Sequence, residues 1–298
     1  MPRRSPADVK KSMLDRVSRL VERGNRKVVA GRTVAVLEYP FTPNSRWGWD
    51  TPPHPELSAL LAAGDAHYAE VIGTLGEHVE DYREIPRHAA PGDLAWANDY
   101  WGGLDAVMQY SALCRRRPAR YIEVGSGYST LFARAAIERH GLPTTITSID
   151  PSPRTGVDAA CDTLWRGTLE DSPASLFEGV APGDVVVIDG SHLALMGSDA
   201  VVAFLEVLPR LPAGVLVGID DIFLPWDYHP TWNRRWYGEQ YVLAGMLLGG
   251  LKGWRVEFPG WYLAQHEGFT EALAPIWEIV EPDAGRLATS FWMERTAD

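Results

Sequence analysis

Three carboxylates and one histidine are the side chains of this 298-residue sequence best placed to do chemistry. Val185-Val-Val-Ile-Asp-Gly-Ser-His192 is an apolar run that ends at Asp189, with His192 three residues on. Leu216-Val-Gly-Ile-Asp-Asp-Ile-Phe-Leu-Pro225 ends in the same way at Asp220 and Asp221. Short apolar runs closed by turn residues read as buried parallel strands, and neighbouring strands lie about 4.8 Å apart. On adjacent strands the three carboxylates meet at one sheet edge, where they repel one another unless a cation sits among them. An all-oxygen ligand set suits Mg²⁺, Mn²⁺ or Ca²⁺ rather than a soft metal, and Mg²⁺ held by Asp189, Asp220 and Asp221 is the expectation. His192 is the candidate general base, because an unperturbed imidazole titrates near working pH, and Asp189 is the second candidate catalytic group. Blander roles stand beside these: Asp189 as a helix-capping carboxylate, Asp220 and Asp221 as a solvated turn, His192 as a metal ligand or a backbone-bonded structural residue.

A second constellation lies upstream. Tyr121-Ile-Glu-Val-Gly-Ser-Gly-Tyr-Ser-Thr130 is a strand that runs through a Gly-x-Gly turn into a helix. Glycines at 125 and 127 let the backbone approach a ligand at the carboxyl edge of the sheet, where open α/β folds bind nucleotides. A dinucleotide fingerprint wants a third glycine where Thr130 stands, which disfavours NAD. Asp150 ends the following strand 23 residues after Gly127, where an acid accepts hydrogen bonds from ribose hydroxyls. Arg166-Gly-Thr-Leu-Glu170 is placed to flank an adenine.

Taken together, the segments Glu123–Thr130, Ile149–Arg154, Ile188–His192, Asp221–Pro225 and Glu239–Tyr241 resemble the class I S-adenosylmethionine (SAM)-dependent methyltransferases of the "family 24" type, over about residues 96–243. The resemblance implies a Rossmann-like, seven-stranded, doubly wound α/β sheet. It also implies SAM contacts at Glu123, Gly125, Ser126, Gly127, Ser129, Asp150, Pro151 and Asp189. The 31- and 32-residue spacing from Asp189 to Asp220 and Asp221 is similar to the acidic site of catechol-type and macrocin-type O-methyltransferases, which implies divalent-metal-assisted O-methylation of a small-molecule acceptor. Many relatives look to have His-Asp where this chain has Asp220-Asp221. A non-catalytic SAM-fold binding protein and an NAD-dependent oxidoreductase are the competing readings.

The elements that must position these residues follow from pattern. Strands are expected at 120–124, 145–149, 162–166, 185–188 and 214–219, with a closing pair at 254–258 and 291–295. Residues 1–95 read as an accessory region: a helix opening at Ser5-Pro6 and closing at Gly24, a short strand at 34–38, a Pro- and Trp-rich loop over 39–55 carrying Trp47 and Trp49, and helical periodicity over 55–75. A further helix is expected over 96–114, and residues 96–298 read as the methyltransferase domain. Trp226, Tyr228, His229, Trp232, Trp236 and Tyr237 crowd the segment after the fifth strand, as a lid, an acceptor wall or core.

Composition bounds the rest. With 46% hydrophobic and 22% charged residues the chain has globular balance, and no apolar run approaches the roughly 18–20 residues that span a bilayer. A cytoplasmic location without membrane partner is expected. A net charge of −11 disfavours nucleic acid, although residues 1–30 hold nine Lys or Arg against three acids, most simply a solvated helix face. Cys114 and Cys161 lack C-x-x-C partners, so neither a disulfide framework nor a thiolate zinc site is expected. Homo-oligomerisation is left open.

Overall fold

The computed structural model describes residues 28–29, 32–33, 39–154, 156–280 and 288–297. The chain divides into two compact units, Met1–Asn44 and Ser45–Asp298. In the first, strands β1 (Val28–Val29) and β2 (Arg32–Thr33) pair antiparallel. The helix expected between Ser5 and Gly24 and the strand expected at 34–38 lie outside the described residues.

In the second unit, β3 (Arg120–Val124), β4 (Thr145–Ile149), β5 (Thr163–Trp165), β6 (Val185–Ile188), β7 (Leu216–Ile219), β8 (Trp254–Pro259) and β9 (Phe291–Arg295) form one seven-stranded sheet in the order β5-β4-β3-β6-β7-β9-β8. The first five run parallel, and β9 enters antiparallel between β7 and β8. The central strands β6 and β7 are buried along their whole length, which is why Val-Val-Val-Ile and Leu-Val-Gly-Ile show no polar alternation. Gly218 faces Trp292 across β7 and β9, and a Cβ there would stand 2.8 Å from the indole. The glycine therefore leaves room for the ring, whose Nε1 donates to Ser290 Oγ at 2.8 Å.

The helix Gly103–Arg116 is buried from Gly103 to Leu113, packed between the helix Tyr128–His140 and the helices Asp65–Leu75 and Thr270–Val280. Leu57, Leu61, Tyr68, Ile72, Leu75 and Tyr82, from the helices before residue 95, join the same core as the sheet. Two expectations need correction. Helical periodicity over 55–75 resolves into Pro55–Ala62 and Asp65–Leu75, with Gly64 at the junction, where a Cβ would meet the Tyr68 ring at 2.3 Å. The helix expected from Trp96 starts only at Gly103. Asn98 holds the preceding loop by donating to the Ala95 and Trp101 carbonyls and accepting from the Tyr100 and Trp101 amides, a local alternative to the helical ladder. Among the described residues no helix is long and apolar enough to cross a membrane.

A charged residue sits inside this core. Glu123, fully buried on β3, accepts hydroxyl hydrogen bonds from Tyr121 (3.1 Å), Ser129 (3.1 Å), Thr130 and Ser148. Burial pushes its pKa up to about 7 against the opposing pull of these four donors. An acid whose folded pKa lies above its unfolded value destabilises the fold progressively as pH rises between the two, and by a constant amount above both. Relative to Glu123→Gln, the wild-type protein is expected to lose roughly 2–4 kcal/mol between pH 4.5 and pH 7 and nothing further above. Urea unfolding of both proteins across this range checks the sign; a difference that is flat, or that favours the wild type with rising pH, would contradict the buried carboxyl.

Candidate active site

The strand ends converge at one edge. Val124 of β3 pairs with Ile188 of β6, so the residues that follow, Gly125 and Asp189, are neighbours. Gly125 has φ +82°, and a Cβ built on it would lie 1.9 Å from the Asp189 carbonyl oxygen. Glycine is required there for both conformation and space. The loop then enters the helix Tyr128–His140, where Thr130 Oγ1 accepts from the Gly127 amide at 3.1 Å. The residue standing in place of a third glycine thus caps the helix and donates to Glu123.

Asp150 supports the same loop. Its Oδ2 accepts from the Ser126 amide (2.8 Å) and hydroxyl (2.9 Å), and its Oδ1 accepts from the Ser152 amide (2.6 Å). Above it opens a cavity of ≈ 590 Å³, within the range of cofactor sites. Gly125, Ser126, Asp150, Pro151 and Asp189 line it, as do His192 and the Thr168-Leu169-Glu170 turn expected beside an adenine. Glu123, Gly127 and Ser129 do not: Glu123 lies beneath the loop with Ser129 bonded to it, and Gly127 packs against Arg154. Glu123 stands back from the cavity for a physical reason, since a buried carboxylate is satisfied by the nearest hydroxyls and four stand within reach. The cavity also uses Ser198 and Asp199, which the sequence reading missed, Arg154 and Ser191, which it held only as parts of longer segments, and Tyr237, which it placed in the acceptor wall. Ser198 and Asp199 carry a helix-start signal, and Asp199 fixes Ser191 through its amide and hydroxyl, both at 2.5 Å. Arg154 carries no local signal; its guanidinium lies 3.9 Å from the Tyr100 ring centroid, and Tyr100 stacks on Tyr128.

The acidic corner is built around His192. Its Nδ1 lies 2.6 Å from Glu239 Oε1, and its Nε2 lies 3.4 Å from Asp189 Oδ1 and 3.3 Å from Asp221 Oδ2. Glu239 is fully buried in the first turn of the helix Glu239–Leu248, where the helix dipole favours a negative charge. Its amide and that of Gly238 donate to the His192 carbonyl. Tyr237 covers the imidazole with ring centroids 4.5 Å apart. His192 (φ +60°) and Asp221 (φ +55°) both adopt left-handed backbone, a strain that surrounding contacts must hold. Burial alone would lower the His192 pKa, but the Glu239 charge and the Asp189 and Glu239 hydrogen bonds outweigh it and raise it well above the usual value. Asp221 is pushed up to about 6 by burial, against the pull of His192.

Asp220 departs from the expected trio. Its Oδ1 accepts from Thr289 Oγ1 at 3.1 Å, on the side of Asp105, which binds the Thr289 and Ser290 amides. Burial, then Asp189 and Asp221, raise its pKa. Among the described residues, ligand atoms of Asp189, Asp220 and Asp221 do not gather within 4.8 Å of one another. With the imidazole between Asp189 and Asp221, this arrangement does not fit a divalent cation.

The crowded segment after β7 forms a smaller core of its own. Phe223, Tyr228 and Trp261 are buried, with Trp49, Trp226, Trp232 and Tyr237 packed on them. Asp227 ties Trp47 and Trp49 to this segment: its Oδ2 accepts from the Trp47 amide and its carbonyl from Trp49 Nε1, both at 3.0 Å. Most of the expected acceptor wall is therefore core, and Tyr237 is its representative in the cavity.

Residues 122–222, from β3 through the acidic corner, match a family model described as a methyltransferase domain. Among solved structures, the chain is similar to a SAH-bound methyltransferase of Podospora anserina at 19% identity, over 61% of this chain and 81% of that one, with a TM-score of 0.37. It is similar to cofactor-bound Rv0187 from MTB at 16% identity, over 68% and 81%, TM-score 0.37. To the plantazolicin methyltransferase BpumL, in complex with SAH and a pentazolic desmethylPZN analog, the identity is 13% over 81% and 98%, TM-score 0.39. No curated protein matches the chain. The matched segment lies on a seven-stranded sheet closed by an inserted antiparallel strand, and carries a glycine loop shaped for close ligand approach; over residues 122–222 the chain is similar to a methyltransferase domain, on a Rossmann-like α/β sheet.

Proposed function

We propose that this enzyme methylates a hydroxyl of a small-molecule acceptor, with the Asp189–His192 pair receiving the hydroxyl proton. The observation that carries the reading is the placement of His192: at the cavity wall, touching Asp189 in front and anchored on buried Glu239 behind. SAM supplies an electrophilic methyl group on its sulfonium. Gly125, Ser126, Asp150 and Pro151 would hold the nucleoside side of that donor, the glycine because no Cβ fits, and the Thr168–Glu170 turn would flank its base. Asp189, partly open to the cavity, takes the proton, while the imidazole Nε2–H steadies the carboxylate and Glu239 fixes the ring. Tyr237 gives a flat face against which a ring-bearing acceptor, phenolic or glycosidic, packs and excludes water. In this reading residues 96–298 carry the catalysis and residues 1–95 are accessory.

Because Nε2 of His192 stands between Asp189 and Asp221, proton removal is assigned to side chains alone. The Mg²⁺ expected at Asp189, Asp220 and Asp221 requires that imidazole to be displaced. Methyl transfer that persists after exhaustive chelation upholds the assignment; transfer abolished by chelation and restored by Mg²⁺ removes it.

Two further measurements follow. Calorimetry is expected to show SAM binding and no NAD binding to the wild-type protein, and at least a tenfold weaker SAM affinity for Gly125→Ala; unchanged affinity would displace the cofactor from this loop. With an acceptor drawn from a panel of phenols and sugar hydroxyls, His192→Asn is expected to lower kcat by about 10²–10⁴ while SAM affinity stays within about threefold. Glu239→Gln, which touches only the ring, should lower kcat less. A His192→Asn enzyme with wild-type turnover would exclude the pair from the chemistry.

A further inference from the structure

The helix Tyr128–His140 begins at the cofactor loop and ends, a helix length away, in a second cluster of chemically active side chains. His78, just before the helix Val79–Glu84, Cys114, in the last turn of Gly103–Arg116, and His140 each present one ligand atom, and these atoms lie within 4.8 Å of one another. Asp81 stands over both imidazoles: its Oδ2 is 3.3 Å from His78 Nδ1 and 3.0 Å from His140 Nε2, and Arg139 pairs with its other oxygen. The Tyr110 hydroxyl is 3.2 Å from His140 Nε2. The cluster is half-buried and shares no residue with the cavity described above.

One atom in it is unexplained. His78 Nε2 is buried and has no hydrogen-bond partner. An imidazole that gives its Nδ1–H to a carboxylate is fixed in the tautomer whose lone pair sits on Nε2, the arrangement by which protein carboxylates orient metal-ligating histidines. Here that lone pair is aimed away from water, in a group with a thiol and a second imidazole. Two nitrogens and one sulfur select a borderline-soft ion, Zn²⁺ before Mg²⁺ or Ca²⁺. A tetrahedral zinc ion with bonds of about 2.0–2.3 Å spaces its ligands roughly 3.3–3.7 Å apart, so the cluster, whose ligand atoms lie within 4.8 Å of one another, needs to contract by about 1.5 Å at most.

We propose that His78, Cys114 and His140 form a structural zinc site, with Asp81 as the fourth ligand or as the carboxylate that orients the two imidazoles. The ion would staple three separate stretches of chain, namely the turn before Val79–Glu84 and the C-terminal ends of two helices that flank the sheet. This site is independent of the methyl-transfer reading and stands whether or not the acidic corner binds metal.

The full chain, stripped with chelator and dialysed, is titrated with Co²⁺ as a spectroscopic stand-in for zinc. The expected result is one equivalent bound with intense tetrahedral visible bands and a near-ultraviolet thiolate-to-cobalt charge-transfer band, both bleached by Zn²⁺. Cys114→Ser should abolish the charge-transfer band, His78→Gln and His140→Gln should weaken zinc affinity at least tenfold, and Asp189→Asn should leave the spectrum intact. A second measurement needs no variant: in the wild-type protein Zn²⁺ should slow alkylation of Cys114, read by peptide mass, and leave Cys161 unaffected. Only weak octahedral cobalt bands, a charge-transfer band that survives Cys114→Ser, or equal alkylation of Cys114 with and without zinc would each overturn the proposal.

Discussion

The contact on which the site depends is the approach of the Gly125 backbone to the carbonyl oxygen of Asp189. It exists because β3 and β6 are adjacent, parallel and paired Val124 to Ile188, so both chains leave the sheet at the same level. A side chain at 125 would push the two loops apart, and with them the cofactor wall on one side and the acidic corner on the other. The helix that follows, the Asp150 carboxylate that accepts from Ser126, and the Asp189 carboxylate in the cavity all take their positions from this one close passage.

The same edge carries a heavy burden of buried negative charge, which the fold meets in two different ways. Glu123 is held in place by hydroxyls, which satisfy its oxygens without adding charge. Asp189, Asp221 and Glu239 share the imidazole of His192. The Glu239 charge and the Asp189 and Glu239 hydrogen bonds raise the imidazole pKa against the effect of burial. Left-handed backbone at His192 and Asp221 shows that the chain bends against its own preference to bring these groups together. Both sit in loops that follow regular, wholly buried strands.

Aromatic packing supplies the rigidity this corner needs. Phe223, Trp226, Tyr228, Trp232, Trp261 and Trp49 interlock next to the acidic strand tip, and Asp227 fastens the Trp47–Trp49 stretch to them by accepting from the Trp47 amide and the Trp49 indole. Of this group only Tyr237 reaches the cavity, where it lies against His192. Tight packing of this kind transmits little slack, so the loop that carries Asp221 in its left-handed conformation is held on its far side by a small core of its own.

The sequence by itself determined the layered architecture, the seven strands and the loops that carry Gly125, Asp150, Asp189 and Asp221. Those features follow from short apolar runs with turn residues at their ends, and from the motif resemblance that implies the seven-stranded layout. Partnership between distant side chains was decided only by the tertiary structure. Glu123 reads as a ligand contact in sequence, yet Ser148, which helps satisfy it, lies on the next strand. Asp220 and Asp221 are adjacent in sequence and look to different neighbours, Thr289 and His192, where the backbone leaves β7 and turns left-handed at Asp221. Glu239 carries no local sign that it will hold His192 from 47 residues away. Cys114 has no metal-binding spacing in sequence, and it acquires two imidazole neighbours only when three helices meet. Local spacing fixes which face a residue takes; long-range packing fixes what it meets there.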